Sequence, residues 1–371
     1  MDEIQKIQHQ ESLRRFAGNE SLKTKLDEEA ERVVRSYQFD DKQQRGQTMN
    51  GLNEPKEIQE RRTEIKPQLE RKGFFVYNQE CKEIIENGKD GAIDVFDAVA
   101  SISKHDKYQS LFRPENKEII RSALTDLLTK NQHLVLQNLH YMKLRDEELV
   151  KKGSLDAMHE GTFYHSVAVG ATAAILYDKL KSHSKFKDDL KDVSLYEMFS
   201  GAILHDAGKV MIPGVELHQK EKLSDDQWKK FMWHPVDGET LLSLLNSQKV
   251  PTSCEYQPRV SKVAVDIAAM HHLWPSYKPE QGKRLKSYPL QMYDRKEGDY
   301  FVADIPAHVK IPTVADGFDA MAGRRTYGKD RSIDEVLAEL SRESKLSERN
   351  TEGVHYDPQV VYALCDVIYG R

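Results

Sequence analysis

The run Ile203-Leu204-His205-Asp206-Ala207-Gly208-Lys209 ends an apolar stretch on an adjacent imidazole and carboxylate. Two coordinating groups at the buried end of a helix restrict what the chain can fold into. A buried polar group left unpaired costs roughly 1–3 kcal/mol, so the fold has to bring partners to both. His165, His234, His271, His272 and Asp316 stand in similar, mostly apolar helical contexts. A fold that satisfies all seven must converge several helices on one point. The mixed nitrogen and oxygen set suits iron, manganese or zinc better than calcium or magnesium. An Asp can also serve two ions, one through each oxygen, which makes Asp206 a candidate bridge. Lys209 follows Asp206 by three residues, at the same edge of the helix end. It reads either as a partner for a phosphate oxygen or as a cation at the helix C-terminus.

The rest of the chain reads as helix. Residues 166–180, 194–209, 224–245, 261–274 and 310–323 are apolar helical segments, and no strand pattern recurs with turn punctuation. The fold class expected is all-α. Ser194 is an expected N-cap with Glu197 as its capping-box partner, and Gly208 is an expected stop. Residues 1–57 read as a charged helical arm ending in a polar linker with Asn50-Gly51 and Pro55. Residues 58–153 read as a smaller helical N-terminal domain. Its short helices are expected to break at Gly73, Gly88 and Gly91, with Ile93, Phe96, Val99 and Ala100 on one apolar face. Pro114 opens a stretch closed by Gly153, with apolar residues from Ile120 to Met142 at helical spacing. One long core helix is one reading of it. A connector that carries an input signal, or pairs with a second copy as a homodimer, is the other.

Composition narrows the function classes. The formal net charge is -5 over 371 residues, which argues against bulk nucleic-acid binding but permits a small anionic ligand in a basic pocket. No run of 18 apolar residues occurs, so no membrane span is expected. Cys81, Cys254 and Cys365 are sparse and far apart, which fits a reducing compartment. The opening MDEIQKIQHQ lacks the apolar core of a secretory signal, so a cytoplasmic location is expected.

The order of motifs resembles a known family. ILHDAGKVMIP is followed by KLSDDQWKKFMWHPVDGETLL, AAMHH, VADGFDAM, RRTYG and VHYDPQVV. Over about residues 155–368 this is similar to an HD-GYP domain, the HD phosphohydrolase subgroup that hydrolyses cyclic di-GMP. The resemblance implies an HD-type helical bundle over 154–371, regulated by the helical region before it. It implies that Asp206 bridges two transition-metal ions, iron or manganese first and zinc as a further option. His165, His205 and Asp316 would complete one site, and His234, His271 and His272 the other. A hydroxide held between the metals would attack phosphorus in line and linearise cyclic di-GMP to pGpG, with Lys209 on the scissile phosphate. Arg325 is implied as a contact to phosphate or guanine.

The chain departs from the family after the His pair. Where the family runs Glu-x-x-Asp-Gly-x-Gly-Tyr-Pro, the sequence here is Leu273-Trp274-Pro275-Ser276-Tyr277-Lys278-Pro279. Tyr277 or Tyr288 is the candidate substitute for the family's Tyr, with Tyr277 taken for substrate binding; residues 278–305 are longer and more polar than in the family, and MYDRKEGDYF (292–301) reads as an inserted hairpin or loop. Some members bind a third metal through a Glu four residues before the first His. That position is Gly161 here, and Glu160 would point about 100° away on a regular helix, so two metals are expected. The alternative reading is a receptor for cyclic di-GMP, or a protein-interaction module, with little or no turnover.

Overall fold

The structure is a computed structural model. It describes residues 56–71, 81–129, 133–158, 161–213, 223–247, 260–274, 276–277, 301–302, 305–322, 331–344 and 353–370. Residues 1–55 of the expected arm and linker over 1–57, Gly73 and Glu160 lie outside the described residues, as does Arg325, and the last two residues of that expected linker begin the first described helix.

The helices in chain order are α1 (Lys56–Arg71), α2 (Cys81–Ile102), α3 (Asp106–Gln109), α4 (Pro114–Thr129), α5 (His133–Lys151), α6 (Thr162–Leu180), α7 (Lys187–Leu190) and α8 (Leu195–Ile203). A 3₁₀ turn over Ala207–Met211 follows, then α9 (Asp225–Met232), α10 (His234–Ser247), α11 (Lys262–Met270), α12 (Ala307–Ala322), α13 (Ile333–Glu343) and α14 (Pro358–Tyr369). Three two-residue strands complete the described residues: β1 (Ser276–Tyr277), β2 (Phe301–Val302) and β3 (Gly353–Val354). They pair antiparallel in the order β2-β1-β3, with Ser276 opposite Val302 and Val354. The all-α class is borne out, and the small sheet is a local clasp after the His pair.

Helix α6 is the axis of the bundle. It packs against α2, α4, α5, α8, α12 and α14. It is buried through Phe163, Val167, Val169, Ala173 and Leu176, so it has no solvated stripe. Its small residues let neighbours close in, and a Cβ at Gly170 would collide with the Ile203 side chain of α8. The hydrophobic core runs without a break from Ile58 and Ile65 through α2, α4 and α5 into α6 and beyond.

Local chemistry sets most helix starts. Ser194 forms the expected capping box: its hydroxyl accepts from the Glu197 N–H at 3.2 Å, and its own N–H donates to the Glu197 carboxylate at 2.9 Å. Ser224 with Gln227 and Ser332 with Glu335 repeat the device. Each such cap satisfies donors that a helix start would otherwise leave open. Gly153 takes a left-handed φ of 70°, just past α5, as expected of a helix stop.

Several boundaries differ from the sequence reading. The stretch from Pro114 to about Lys152 is two helices, α4 and α5, with residues 130–132 between them outside the described residues. Gly88 and Gly91 do not break α2. A Cβ at Gly91 would collide with the Leu136 carbonyl of α5, so the residue permits close contact between two helix backbones. The buried face of α2 is Ala92, Val95, Ala98 and Ile102; Ile93, Phe96 and Val99 are half-buried and Ala100 is exposed. Helix α8 ends at Ile203, so His205 and Asp206 stand on a turn beyond it. Trp233 separates α9 from α10, where one helix over 224–245 was expected. Of the polar stretch over 278–305, which holds the expected hairpin, only Phe301–Val302 and Ile305 are described.

Candidate metal centre

The seven sequence candidates come together. His165 lies in the first turn of α6, and His205 and Asp206 lie on the turn after α8. His234 opens α10, His271 and His272 follow α11, and Asp316 is on α12. Three sets of ligand atoms, each within 4.8 Å of one another, could hold a metal ion: His165, His205 and Asp316; His234, His271 and His272; and His205, Asp206 and His271.

Asp206 sits between the first two sets. Its Oδ2 is 3.5 Å from His165 Nε2 and 3.4 Å from His205 Nε2. Its Oδ1 is 3.3 Å from His234 Nε2 and 3.7 Å from His271 Nε2. Asp316 Oδ1 joins the first half, 3.1 Å from His165 Nε2 and 3.8 Å from His205 Nε2. Each Asp206 oxygen therefore faces one half of the ligand set.

Hydrogen bonds at the far ring nitrogens decide what the near ones offer. His205 Nδ1 is 2.8 Å from the Ala202 carbonyl, and His234 Nδ1 is 2.6 Å from the Phe231 carbonyl. His271 Nδ1 is 3.1 Å from both the Ile267 and Ala268 carbonyls. A carbonyl only accepts, so each Nδ1 carries its proton and each neutral ring presents an Nε2 lone pair. The Nε2 atoms of His234 and His271 are 3.0 Å apart. Two lone pairs at that distance repel unless a cation lies within reach of both. His205 Nε2 and Asp206 Oδ1 are buried and make no hydrogen bond in the protein. The donor set and these atoms fit a metal pair.

Electrostatics agree. Burial would raise the Asp206 carboxyl, but Lys209 and His205 outweigh it and hold the group well below the usual carboxylate range. Asp316 is held low in the same way, burial being overcome by its bond to His165 and the charge of His205. Burial pushes His234 down to about 4, and burial with the neighbouring His271 and His234 takes His272 well below its ordinary value. These two rings are neutral at pH 7, as ligands must be. His205 moves up: burial opposes, but Asp206 prevails, so the carboxylates draw positive charge to this point. Lys209 Nζ donates to Asp206 Oδ2, and its side chain is 15% exposed, which leaves donors for an incoming anion.

Four contributing residues escaped the sequence reading. Asp319 is buried and its Oδ2 is 2.6 Å from His165 Nδ1, so α12 supplies both a candidate ligand and the group that orients another. The signal was the three-residue spacing from Asp316 on an apolar helix. Asp237, three residues after His234, is 1% exposed and pairs with Arg61 of α1 at 2.7 and 2.9 Å. Arg145 and Asp146 of α5 abut the turn and α6, and nothing in their local sequence marks them. Gly208 is not a helix stop: its φ is not positive, and a Cβ there would collide with the His234 carbonyl. The side chains of Tyr277 and Arg325 lie outside the described residues.

Residues 162–321 match the HD domain family, a span that takes in all seven candidate ligands. The motif resemblance is borne out as a match to this domain family, and curated relatives add to it. A "Probable cyclic di-GMP phosphodiesterase" of Vibrio cholerae is 27% identical over 270 residues, 68% of this chain and 54% of that protein. A "3'3'-cGAMP-specific phosphodiesterase 2" of the same organism is 33% identical over 164 residues, 44% of this chain and 24% of that protein. A "Cyclic di-GMP phosphodiesterase" of Thermotoga maritima is 27% identical over 175 residues, 47% of this chain and 38% of that protein. The chain thus spans between about a quarter and about half the length of these relatives. No described helix is long and apolar enough to cross a membrane.

Proposed function

We propose that this chain is a metal-dependent phosphodiesterase that opens cyclic di-GMP to linear pGpG. The observation that carries the reading is Asp206, whose two oxygens face two histidine-rich halves of one buried cluster. The names of the relatives support the substrate class.

Two bound ions would lower the pKa of a water into the neutral range and neutralise charge developing on phosphate. Iron or manganese suits the nitrogen-rich, thiolate-free set, with zinc as the further option. The chain's own residues would do the rest. The backbone carbonyls in the last turns of α8, α9 and α11 hold the His205, His234 and His271 rings with Nε2 inward, so no reorientation is needed when a ligand arrives. Lys209 would hold Asp206 with one donor and a phosphate oxygen with another. Arg325 and Tyr277 remain proposed contacts to the nucleotide.

A receptor with little turnover is the second reading, and one observation favours it. The family's acidic and glycine-rich segment is replaced by Leu273 and Trp274, both buried, with Trp274 stacked on His355 at 3.2 Å between ring centroids. One experiment separates the readings. Anaerobically purified protein loaded with iron or manganese is incubated with cyclic di-GMP and, separately, with 3′3′-cGAMP, and the products are resolved by chromatography. pGpG as the end product supports the proposal. Intact cyclic di-GMP that nonetheless co-elutes with the protein supports the receptor. Cleavage of 3′3′-cGAMP alone keeps the chemistry and reassigns the substrate.

A further inference from the structure

The helix that presents His165 starts without a cap of its own. Its N-cap residue is Gly161, which has no side chain to accept from the first N–H groups. The cap comes from another element. Asp146 on α5 accepts the Phe163 N–H at 2.8 Å through Oδ2, a buried contact across 17 residues of chain. A buried helix start needs such an acceptor, and a carboxylate there also meets the positive end of the helix dipole. The residue at 161 has to be small for this to happen, because a Cβ would collide with the Asp146 carboxylate.

The neighbouring residue does the same for the other side of the centre. Arg145 donates to the Lys209 carbonyl at 3.0 Å and to the Ile212 carbonyl at 3.1 Å. These are backbone acceptors of the 3₁₀ turn that follows Asp206 and carries Lys209. One guanidinium bridges two carbonyls, which a point charge cannot copy. Arg145, Asp146, Thr162, Asp206 and Lys209 line one small cavity beside the ligand cluster.

We propose that Arg145 and Asp146 are positioning residues for the metal centre: Asp146 sets the helix start that aims His165, and Arg145 sets the turn that aims Asp206 and Lys209. The inference rests on the reading of the cluster as a metal site. Adjacent residues on one helical turn of α5 thus register the two segments that would hold the His165 side of the pair. Helix α5 lies outside the matched HD span, so the precision of the centre depends on the helical region before it.

The test compares the full-length protein with Asp146→Ala, Asp146→Asn, Gly161→Ala, Arg145→Ala and the double variant Asp146→Ala with Gly161→Ala. Two quantities are read: the dissociation constants for manganese in anaerobic titration, and the EPR spectrum of the manganese-loaded protein. Asp146→Ala should weaken metal binding by roughly 10-fold or more, the scale on which partners of ligands act. Asp146→Asn should stay within about threefold of wild type, because its amide oxygen still accepts from Phe163. Gly161→Ala reaches the same contact from the other partner without backbone strain, at a φ of -80°. It should reproduce the metal phenotype of Asp146→Ala, and the double variant should be no worse than either single. Arg145→Ala should alter the EPR spectrum along with the affinity. Variants that unfold at lower temperature yet keep wild-type metal affinities and spectrum would overturn the proposal and leave the pair as ordinary structural contacts. An Asp146→Asn variant as impaired as Asp146→Ala would overturn the capping role. Should Asp146→Ala fail to fold, Gly161→Ala and Arg145→Ala decide the matter alone. A wild type that binds less than half a metal per chain would overturn the metal reading itself, and this inference with it.

Discussion

At the scale of single residues, Asp206 is the position on which the proposed centre turns. Only a ligand that faces both halves can serve two ions, so Asp206→Ala should cost both, read as metal content by elemental analysis. Loss of one ion would mean that each half holds its metal independently. Lys209 has two roles to separate, the ion pair with Asp206 and the proposed hold on phosphate. If it holds phosphate, Lys209→Ala should keep the metals and lower turnover of cyclic di-GMP by roughly 10²-fold or more, the scale of one preorganised charge stabiliser. Unchanged turnover with reduced thermal stability would return it to a structural ion pair. Asp319 orients His165 at 2.6 Å, so Asp319→Asn should weaken metal binding by about 10–100-fold with the ligand set untouched. Titration of the apo protein with manganese reads this directly, and wild-type affinity would reject the role.

At the scale of elements, every candidate ligand except Asp316, which lies midway along α12, sits at a helix end. His165 opens α6, His234 opens α10, and the other histidines sit on turns just past α8 and α11. Ends rather than middles are used because a side chain there can leave the packed face and meet others from crossing helices. The approach of the Asp206 turn to α10 is tight enough to require Gly208. Gly208→Ala should destabilise the fold by about 1–3 kcal/mol through overpacking and displace His234, read as a joint fall in unfolding midpoint and metal content. The cap on α6 carries a pH signature. Burial raises the Asp146 carboxyl to about 6, against the Phe163 N–H and the Arg145 charge, which pull it down. Its folded value thus lies above the unfolded 3.8, so the native state binds a proton that the unfolded chain has released. The apo fold is helped below about 4 and loses that help as pH rises through about 6. Between pH 4.5 and 7 the wild type should lose on the order of 2 kcal/mol relative to Asp146→Asn, measured by urea unfolding. Parallel pH profiles for the two proteins would show that the carboxyl titrates normally.

At the scale of the whole molecule, the helices outside the HD span are seated on it. Helix α1 reaches α10, where Arg61 forks onto the buried Asp237 carboxylate, and Arg62 meets Glu239 at 2.6 Å. Burial lowers the Arg61 guanidinium affinity for its proton, yet the Asp237 bond and charge win and raise it. Removing one member of such a pair strands the other charge one turn from His234. Because Arg61 is 20% exposed, Arg61→Ala should cost about 2–3 kcal/mol, toward the low end for buried pairs. Arg61→Ala combined with Asp237→Asn should cost less than the sum of the two singles, since neither charge is then stranded. Additive costs would indicate that α1 does not hold Asp237 in solution.

Much of this was legible in the chain. Helical periodicity with no recurring strand pattern is a local property, and it determined the all-α class. The Ser194 cap depends on a residue three positions away, so it too could be read directly. The seven imidazole and carboxylate candidates were legible because each is an expensive group in an apolar segment, and the motif order resembled one family. Which oxygen of Asp206 faces which histidine was not legible, since it depends on the crossing of α6, α8, α10 and α11. Nor was the break at Trp233, where tertiary packing overrides a continuous apolar spacing. The glycines were misread for the same reason. Gly91 and Gly208 look like punctuation in one dimension, but they are the places where two backbones meet. Arg145, Asp146 and Arg61 carried no local signal at all. Their partners lie 17 to 176 residues away, and only the folded chain brings a cation to a carbonyl or a carboxylate over such separations.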